Sequence, residues 1–344
     1  MGKFKKASEI KVGVIGYGGA FNMGRRHLAD MKAAGMSPVA VAEIDAERLK
    51  VSEEDFPGID TYGSVTQMLK QSDVNLVVLI TPHNTHAKLA LQCLRSGRSV
   101  ISEKPLAITT ADCDAMIREA KKRRLLLTTY HNRHWDGCVL EALKHIKREK
   151  AIGDVYRVEA HIGRHGQPGD WWRTSKSISG GIMYDWGVHL LEYALQIIDD
   201  EMTEVTGYAK TGYWASKTAW KKDTNEDVAS AVIRFKSGKW LTLTISSLEA
   251  NPKAGQLEIS GTKGSYVFDG RTYELIQQIG DRKVITKGQN TKSLWPKFYK
   301  NVADHLVKGT KLVITPEWAR RPIHILDLAG QSMKKGAAVR TKYR

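Results

Sequence analysis

Two short segments carry side chains whose types and spacing suit proton transfer. Glu103-Lys104-Pro105 ends a short apolar run, and the proline restricts the lysine backbone to an extended conformation. Asp185 and His189 stand four residues apart in a segment with helical spacing, which predicts that they share one helix face. A histidine that titrates near neutral pH, beside a carboxylate and a lysine, can act as a general base for an alcohol proton. The alternative is a solvated lysine before a loop proline and an ordinary Asp–His surface pair.

A glycine-rich turn lies near the start of the chain, between the first apolar run and the first helical pattern. Its sequence is Gly16-Tyr17-Gly18-Gly19-Ala20-Phe21-Asn22-Met23-Gly24. Glycines at such a junction permit positive φ angles and let the backbone N–H groups of a helix start approach a pyrophosphate. Against the pattern G-x-G-x-x-G, Phe21 occupies the third glycine position and Gly24 comes three residues later. The turn predicts a dinucleotide-binding site with a lengthened loop.

An acidic residue, Glu43, ends the second predicted strand, about 27 residues after Gly16. A carboxylate at this place can accept hydrogen bonds from both ribose hydroxyls of NAD, and it repels a 2′-phosphate. No arginine or lysine directly follows Glu43. The sequence therefore predicts NAD rather than NADP as the cofactor. The alternative is a glycine-bearing turn beside an exposed glutamate.

The first third of the chain alternates apolar strands with helical patterns. Strands are predicted at 10–15, 39–43, 76–80, 99–101 and 125–128, and helices at 23–34, 85–95 and 109–122. Continuous apolar strands separated by helices are typical of a parallel sheet covered on both faces. Ligands bind such sheets at the carboxyl ends of the strands, which is where Lys104 stands.

After about residue 130 the pattern changes to long alternating strands. They are predicted at 155–160, 228–235, 239–245, 257–260 and 265–268, with helices at 138–148, 181–198, 295–307 and 316–335. Short turns at 236–238 and 261–264 join neighbouring strands, which indicates an antiparallel, hairpin-rich sheet. We predict an α/β protein with an N-terminal Rossmann domain (1–129) and a C-terminal α/β domain on a large, mostly antiparallel sheet (130–344). The last helix can return to the N-terminal domain.

The composition excludes several classes of protein. With 344 residues, 42% hydrophobic and 26% charged, the chain is globular and long enough for two domains. The net charge is +16, but the basic residues are scattered along the chain, so we predict no nucleic-acid partner. No apolar stretch is long enough for a membrane span or a signal peptide, and three separated cysteines indicate a reducing compartment. We expect a cytoplasmic protein without a membrane partner.

Two groups of aromatic and polar residues have the character of a carbohydrate site. One contains His131 and Arg133, and the other contains Trp172 and Arg173. Aromatic rings stack on the C–H faces of a polyol while polar groups bind its hydroxyls. The positive net charge is also compatible with an anionic sugar. The alternative to a carbohydrate site is that the tryptophans belong to the core and the arginine to the surface. The histidines of this region match no zinc spacing, so we predict no metal.

Together these motifs resemble the glucose-fructose oxidoreductase / inositol dehydrogenase / MocA (Gfo/Idh/MocA) family. The residues that carry the resemblance are Gly16-Tyr17-Gly18-Gly19, Thr81-Pro82-His83-Asn84-Thr85-His86, Glu103-Lys104-Pro105, Asn132-Arg133, and Gly180-Gly181 through Asp185 and His189. The similarity runs from residue 10 to about residue 340. It implies a Rossmann domain followed by a C-terminal domain whose open sheet face mediates homodimers or homotetramers.

The resemblance also implies roles for individual residues. Lys104, Asp185 and His189 match the family's catalytic lysine, its substrate-orienting carboxylate and its general base. The implied cofactor-binding positions are Gly16, Gly18, Gly19, Ala20, Phe21, Asn22, Glu43, Thr81, Pro82, His83, His86, Glu103 and Lys104. The implied substrate-binding positions are Lys104, His131, Arg133, Trp172, Arg173, Asp185 and His189.

These roles predict an NAD-dependent oxidoreductase that moves a hydride between the nicotinamide and a ring CH–OH of a sugar, glycoside or cyclitol. An alternative uses the same residues as an NAD-dependent glycosidase, with transient oxidation at C3 followed by elimination. A third hypothesis is a non-catalytic NAD-binding sensor, and the complete set Lys104, Asp185 and His189 argues against it.

Overall fold

The computed structural model describes residues 2–343. The chain forms two compact units. Unit 1 contains the residues up to His131 together with Pro296–Arg320, and unit 2 contains Asn132–Trp295 together with the chain from Arg321 onward. Each unit therefore combines two separate stretches of sequence.

Unit 1 is built on a six-stranded parallel sheet. Its strands are β1 (Lys11–Ile15), β2 (Ser37–Ala42), β3 (Asp60–Tyr62), β4 (Leu76–Leu79), β5 (Ser99–Ser102) and β6 (Leu127–Thr129), in the spatial order β3-β2-β1-β4-β5-β6. All residues of β4 and β5 are buried, as expected for strands covered on both faces. The strand order reverses between β1 and β4, which is where such sheets bind dinucleotides. The predicted Rossmann fold is confirmed.

The helices that connect these strands mostly begin at polar side chains. They are α1 (Met23–Ala33), α2 (Ala46–Asp55), α3 (Val65–Gln71), α4 (His86–Arg95) and α5 (Thr110–Arg123). Asp45, Ser64 and Thr109 accept hydrogen bonds from N–H groups in the first turns of α2, α3 and α5. The sequence does not predict α2, β3 or α3, because these segments are short or highly charged and have weak apolar periodicity.

Unit 2 is built on a nine-stranded sheet. Its strands are β7 (Val155–Gly163), β8 (Met202–Lys210), β9 (Val228–Phe235), β10 (Trp240–Ser246), β11 (Leu257–Gly261), β12 (Gly264–Phe268), β13 (Thr272–Ile279), β14 (Arg282–Gln289) and β15 (Val339–Arg340). The order is β14-β13-β12-β11-β7-β10-β9-β8-β15, and only the β7–β10 pair among these described strands is parallel. The predicted mostly antiparallel sheet is confirmed, although β8, β13, β14 and β15 are absent from the prediction.

The later helices complete both units. They are α6 (Gly137–Leu143), α7 (Lys176–Ser179), α8 (Trp186–Ile197), α9 (Lys297–Lys308) and α10 (Pro316–Lys335), and a π-helical turn at Lys144–Arg148 extends α6. Helix α8 contacts β7 and β10, where buried residues alternate with more exposed ones, so one sheet face is covered. None of the helices within residues 2–343 combines the length and the apolar character needed to cross a bilayer.

The predicted helix at 181–198 is wrong at its start. Gly180 and Gly181 have φ angles of 93° and 125°, a 3-10 turn follows at Ile182–Tyr184, and α8 begins only at Trp186. Asp185 is therefore the residue before the helix, with a non-helical ψ of −83°. Two positive φ angles in succession prevent a continuous helix, and only glycine adopts them without steric cost.

Candidate active site

The turn from β1 into α1 requires glycine at its first position. Gly16 has a φ of 98°, and a Cβ added there would lie 2.6 Å from the carbonyl oxygen of Ile80. That oxygen belongs to the backbone directly after β4 and cannot easily move. Gly16 therefore allows β1 to pass close to β4 at the reversal of strand order.

Gly24 explains the irregular glycine pattern of the sequence. It lies in the first turn of α1, and a Cβ added there would lie 2.5 Å from the ring of Tyr17. Tyr17 is buried, and its hydroxyl donates to the Asp55 carboxylate at 2.8 Å. The close packing that a third motif glycine normally allows is thus made at Gly24 rather than at the position of Phe21.

The residues between these glycines fit an anionic ligand. Gly18 through Asn22 are exposed, and a Cβ on Gly18 would have no atom within 4 Å. The Asn22 side chain makes no capping hydrogen bond to α1, whose first turn contains Arg25 and no acidic residue. Helix N-termini with open N–H groups favour negative charge, so the turn suits the pyrophosphate of a dinucleotide.

Glu43 lies directly after β2 and is tied to the same turn. One carboxylate oxygen accepts from the Tyr17 N–H at 2.5 Å, and the other accepts from the Ile44 and Asp45 N–H groups at 2.7 and 3.1 Å. The negative charge is therefore fixed beside the glycine-rich turn. This is the place at which the sequence predicts a ribose-binding carboxylate.

Arg48 also belongs to this region, although the sequence does not predict it there. Its Nε donates to the carbonyl oxygen of Tyr17 at 2.8 Å, and its guanidinium lies 3.2 Å from the position of a Cβ on Gly19. Arg48 lies on α2. Because the sequence does not predict α2, it does not predict that Arg48 lies near the glycine-rich turn. The capping residue Asp45 before α2 is the signal that could have found it.

His86 braces the loops that follow β4 and β5. The ring is fully buried, with Nδ1 2.8 Å from the carbonyl oxygen of Pro105 and Nε2 2.9 Å from that of Thr81. Burial lowers the pKa of the ring. Because both ring nitrogens face backbone oxygens, His86 holds the Thr81 and Lys104 loops in place rather than pointing toward solvent. The neighbouring His83 is also buried.

Glu103 fixes the backbone of Lys104. One of its carboxylate oxygens accepts from the Lys104 N–H at 2.9 Å, and the other lies 3.0 Å from Nε2 of the buried His27. Burial alone would raise the pKa of the Glu103 carboxyl, but the hydrogen bond to His27, together with the charge and the backbone N–H of Lys104, holds it below its usual value. The lysine is thus anchored at the carboxyl end of β5 by a carboxylate that keeps 15% exposure.

In unit 2, Asp185 is held by Arg173. The two side chains form an ion pair, and the guanidinium lies 5.2 Å from the ring centre of Trp171 and 5.1 Å from that of Trp172. The Asp185 side chain keeps 37% of its exposure. A half-exposed carboxylate is therefore oriented by an arginine that two indole rings position.

The segment between β8 and β9 supports the backbone around Arg173 and Asp185. Glu226 accepts from the Ile182 N–H at 3.0 Å and pairs with Lys176 at 2.7 Å, and Asn225 donates to the carbonyl oxygen of Arg173 at 2.7 Å. These contacts fix the backbone on both sides of the Arg173–Asp185 pair. Local sequence does not predict these contacts, because they join residues more than 40 positions apart.

His189 and Arg133 lie around Trp186 at the start of α8. The His189 ring centre is 5.6 Å from that of Trp186, and the Arg133 guanidinium is 4.8 Å from the same indole ring. Arg133 also donates to the buried Asp136 carboxylate at 3.1 Å. His131, which the sequence associates with the substrate, is fully buried, so a contact between its ring and a ligand needs a movement of its surroundings.

Lys104 belongs to unit 1, whereas Arg133, Trp172, Arg173, Asp185 and His189 belong to unit 2. Among the residues that the structure describes, no three histidine, cysteine, aspartate or glutamate side chains are grouped so that they could hold a metal ion.

Two family models match this chain. The model described as an oxidoreductase family with an NAD-binding Rossmann fold matches residues 10–131, and the GFO/IDH/MocA C-terminal domain model matches residues 140–267. Fold and matches together define an NAD-binding oxidoreductase. The chain belongs to the Gfo/Idh/MocA family, as its motifs predict.

Relatives of the chain include two inositol dehydrogenases. The scyllo-inositol 2-dehydrogenase (NADP(+)) IolW of Bacillus subtilis is 21% identical over 96% of this chain and 96% of that protein. The myo-inositol 2-dehydrogenase of Thermotoga maritima is 28% identical over 79% of this chain and 80% of that protein. Among solved structures, levoglucosan dehydrogenase in complex with NADH and levoglucosan has a TM-score of 0.82 at 20% identity, covering 97% of this chain and 100% of that one.

Proposed function

We propose that this protein is an NAD-dependent dehydrogenase that oxidises a ring CH–OH group of a cyclitol, sugar or glycoside. The observation that carries the proposal is the arrangement before α8, where Arg173 lies against two indole rings and pairs with Asp185, four positions before His189. Indole rings suit the C–H faces of a polyol, and a carboxylate accepts hydrogen bonds from its hydroxyls. The inositol and levoglucosan dehydrogenases among the similar proteins support this class of substrate.

In this proposal the cofactor is held by residues of unit 1. The pyrophosphate would lie on Gly16, Gly18, Gly19, Ala20, Phe21 and Asn22, the ribose on Glu43, and the nicotinamide end on Thr81, Pro82, His83 and Lys104, with His86 and Glu103 bracing them. When bound, NAD supplies the hydride acceptor. Glu43 disfavours a 2′-phosphate, so we expect tighter binding of NAD than of NADP.

Three side chains would carry the chemistry. His189 removes the proton of the reacting hydroxyl, the Lys104 ammonium stabilises the developing alkoxide, and Asp185 orients the substrate. Arg133, Trp172 and Arg173 would contact the other hydroxyl groups or ring faces. Arg173 is already paired with Asp185, so it acts on the substrate mainly by holding that carboxylate.

The first experiment is to release and quantify bound NAD(H) and NADP(H) from freshly purified protein. We expect protein without bound cofactor. The next step is then a screen of cyclitols and sugars with added NAD. Near-stoichiometric NAD, followed by sugar release from glycosides without NADH accumulation, would favour the glycosidase alternative instead. Bound NADP would contradict the role proposed for Glu43.

The second experiment compares variants on the substrate that the screen identifies. Lys104→Met and His189→Ala should each lower kcat by about 100-fold or more while leaving the fold intact. Lys88→Met, at an exposed position on α4, is the matched control and should be silent. Wild-type turnover in both site variants would refute the assignment.

We also propose that copies of this chain associate through the open face of the unit 2 sheet. Trp240 lies on this face with 36% of its surface exposed, beside Arg157, which pairs with Glu258 at 3.2 Å. A face with an exposed indole and charges of both signs can pair with itself about a two-fold axis. Light scattering should report a dimer or tetramer that Trp240→Glu weakens, and a monomeric wild type would refute the association.

A further inference from the structure

Tyr299, His27 and Glu103 form a hydrogen-bonded chain inside unit 1 that ends at the backbone of Lys104. The Tyr299 hydroxyl lies 2.5 Å from Nδ1 of His27, Nε2 of His27 lies 3.0 Å from Glu103, and Glu103 accepts from the Lys104 N–H at 2.9 Å. We propose that His27 and Tyr299 are positioning residues for Lys104. The Tyr299 hydroxyl and the Glu103 carboxylate favour the same tautomer of His27, with the proton on Nε2, and the ring then fixes the carboxylate that holds Lys104.

The buried position of the chain restricts where its protons can lie. His27 is fully buried and Tyr299 is 1% exposed, so neither ring exchanges its partners for solvent. Burial keeps the pKa of Tyr299 well above its usual value, so the phenol keeps its proton and can donate it. If Tyr299 donates to Nδ1, the ring proton stands on Nε2 and points at the carboxylate. The opposite neutral tautomer would set a lone pair of Nε2 against a carboxylate oxygen.

The same contacts connect the histidine with the position of the lysine. Both oxygens of Glu103 are in use, one for the ring of His27 and one for the Lys104 N–H, so a carboxylate that loses the ring contact can rotate. The lysine backbone then loses a fixed acceptor. Because Lys104 is proposed to act on the charge that develops during the reaction, its displacement affects turnover more than substrate binding. This inference rests on the proposed role of Lys104.

Tyr130 provides a matched control inside the same cluster. Its ring centre is 4.4 Å from that of His27, compared with 5.9 Å for Tyr299, so both tyrosines pack against the imidazole. The Tyr130 hydroxyl, however, donates to the Asp30 carboxylate at 3.5 Å. Removing either hydroxyl makes a similar change in a buried tyrosine, but only Tyr299→Phe removes a hydrogen bond to the ring of His27.

The test combines a proton-resolved measurement with kinetics on the full-length protein. Histidine-selective ¹⁵N labelling and long-range ¹H–¹⁵N spectra, assigned with His27→Gln, should place the wild-type proton on Nε2. Tyr299→Phe should weaken that preference and lower kcat by on the order of 10-fold, with smaller changes in KM and in NAD affinity, measured by calorimetry. Tyr130→Phe should match the wild type in all these properties. His27→Gln, whose amide can donate to Glu103, should retain more turnover than His27→Leu.

Several results would overturn the positioning role. A wild-type proton on Nδ1 would do so without any variant, and so would equal kcat values for Tyr299→Phe and Tyr130→Phe while Lys104→Met is inactive. A failure of the proposed function looks different, because Lys104→Met would then turn over like the wild type. The two ideas can therefore fail separately.

Discussion

The two units hold their acidic site residues in opposite ways. Glu103 of unit 1 keeps only 15% exposure and is held by the buried His27 and the Lys104 backbone, whereas Asp185 of unit 2 keeps 37% exposure and pairs with Arg173 beside two indole rings. A buried charge depends strongly on its partner, while a half-exposed ion pair contributes little to stability. The contrast teaches that a change at Glu103 also affects the stability of unit 1. The Arg173–Asp185 pair, by comparison, can be changed with little effect on folding.

Removing each carboxylate in turn tests this contrast with the largest expected effect. Glu103→Ala should lower the free energy of unfolding by about 3 kcal/mol, because it leaves the buried His27 ring and the Lys104 N–H without their acceptor. Asp185→Ala should cost less than about 1 kcal/mol, because solvent replaces the lost partner. Urea denaturation of both variants measures the difference. Equal losses of stability would break the comparison.

Two helical glycines test the packing of each unit. Gly24→Ala should destabilise by about 1–3 kcal/mol, because the new Cβ would meet the buried Tyr17 ring at 2.5 Å. Gly330→Ala, in α10, meets no atom within 4 Å and should stabilise by up to about 1 kcal/mol through helix propensity. Thermal unfolding reports both shifts, and NAD affinity should fall only for Gly24→Ala. A neutral Gly24→Ala would mean that the glycine-rich turn tolerates repacking.

Arg173→Lys sharpens the functional side of the comparison. A lysine keeps the charge but loses the planar group that lies against Trp171 and Trp172 and pairs with Asp185. We expect kcat/KM to fall by about 10-fold, or about 1.4 kcal/mol, with the unfolding midpoint unchanged. Arg164→Lys, at an exposed position of the same region, is the control. A fall in stability instead of activity would place Arg173 in the core.

The pH dependence of stability gives the smallest effect. His27 holds the pKa of the Glu103 carboxyl below its usual value despite burial. A carboxyl with a depressed folded-state pKa stabilises the protein above its unfolded-state pKa, about 4.3, and this stability is lost as pH falls through the folded-state value. The difference in unfolding free energy between wild type and Glu103→Gln should therefore be constant near pH 6–7 and shrink below about pH 4. A difference that grows toward acid pH would reverse the sign assigned to this group.

The sequence predicts local elements better than distant contacts. The apolar strands and the turn at Gly16 follow from neighbouring residues, and so does the class of fold. The role of Gly24 follows from its contact with the Tyr17 ring, which the local sequence pattern does not show. The position of Arg48 depends on α2, which is not predicted because its many charged residues weaken the apolar periodicity of a helix.

Partners far apart in the chain could not be predicted at all. His27 and Tyr299 are separated by 272 positions, and nothing in either local sequence indicates a hydrogen bond between them. The support of Arg173 by Asn225 spans 52 positions and depends on the unpredicted strand β8. Such contacts follow from topology, which local patterns do not fix.

The discontinuity of unit 1 has a consequence for its synthesis. A nascent chain that has emerged only as far as His131 contains the whole parallel sheet but lacks Pro296–Arg320, and therefore lacks α9 and Tyr299. During translation, all of Asn132–Trp295 must be synthesised before α9 can pack with the Rossmann sheet. The anchor of Lys104 is thus completed late in biosynthesis, and a fragment that ends at His131 would leave Nδ1 of His27 without the hydroxyl of Tyr299.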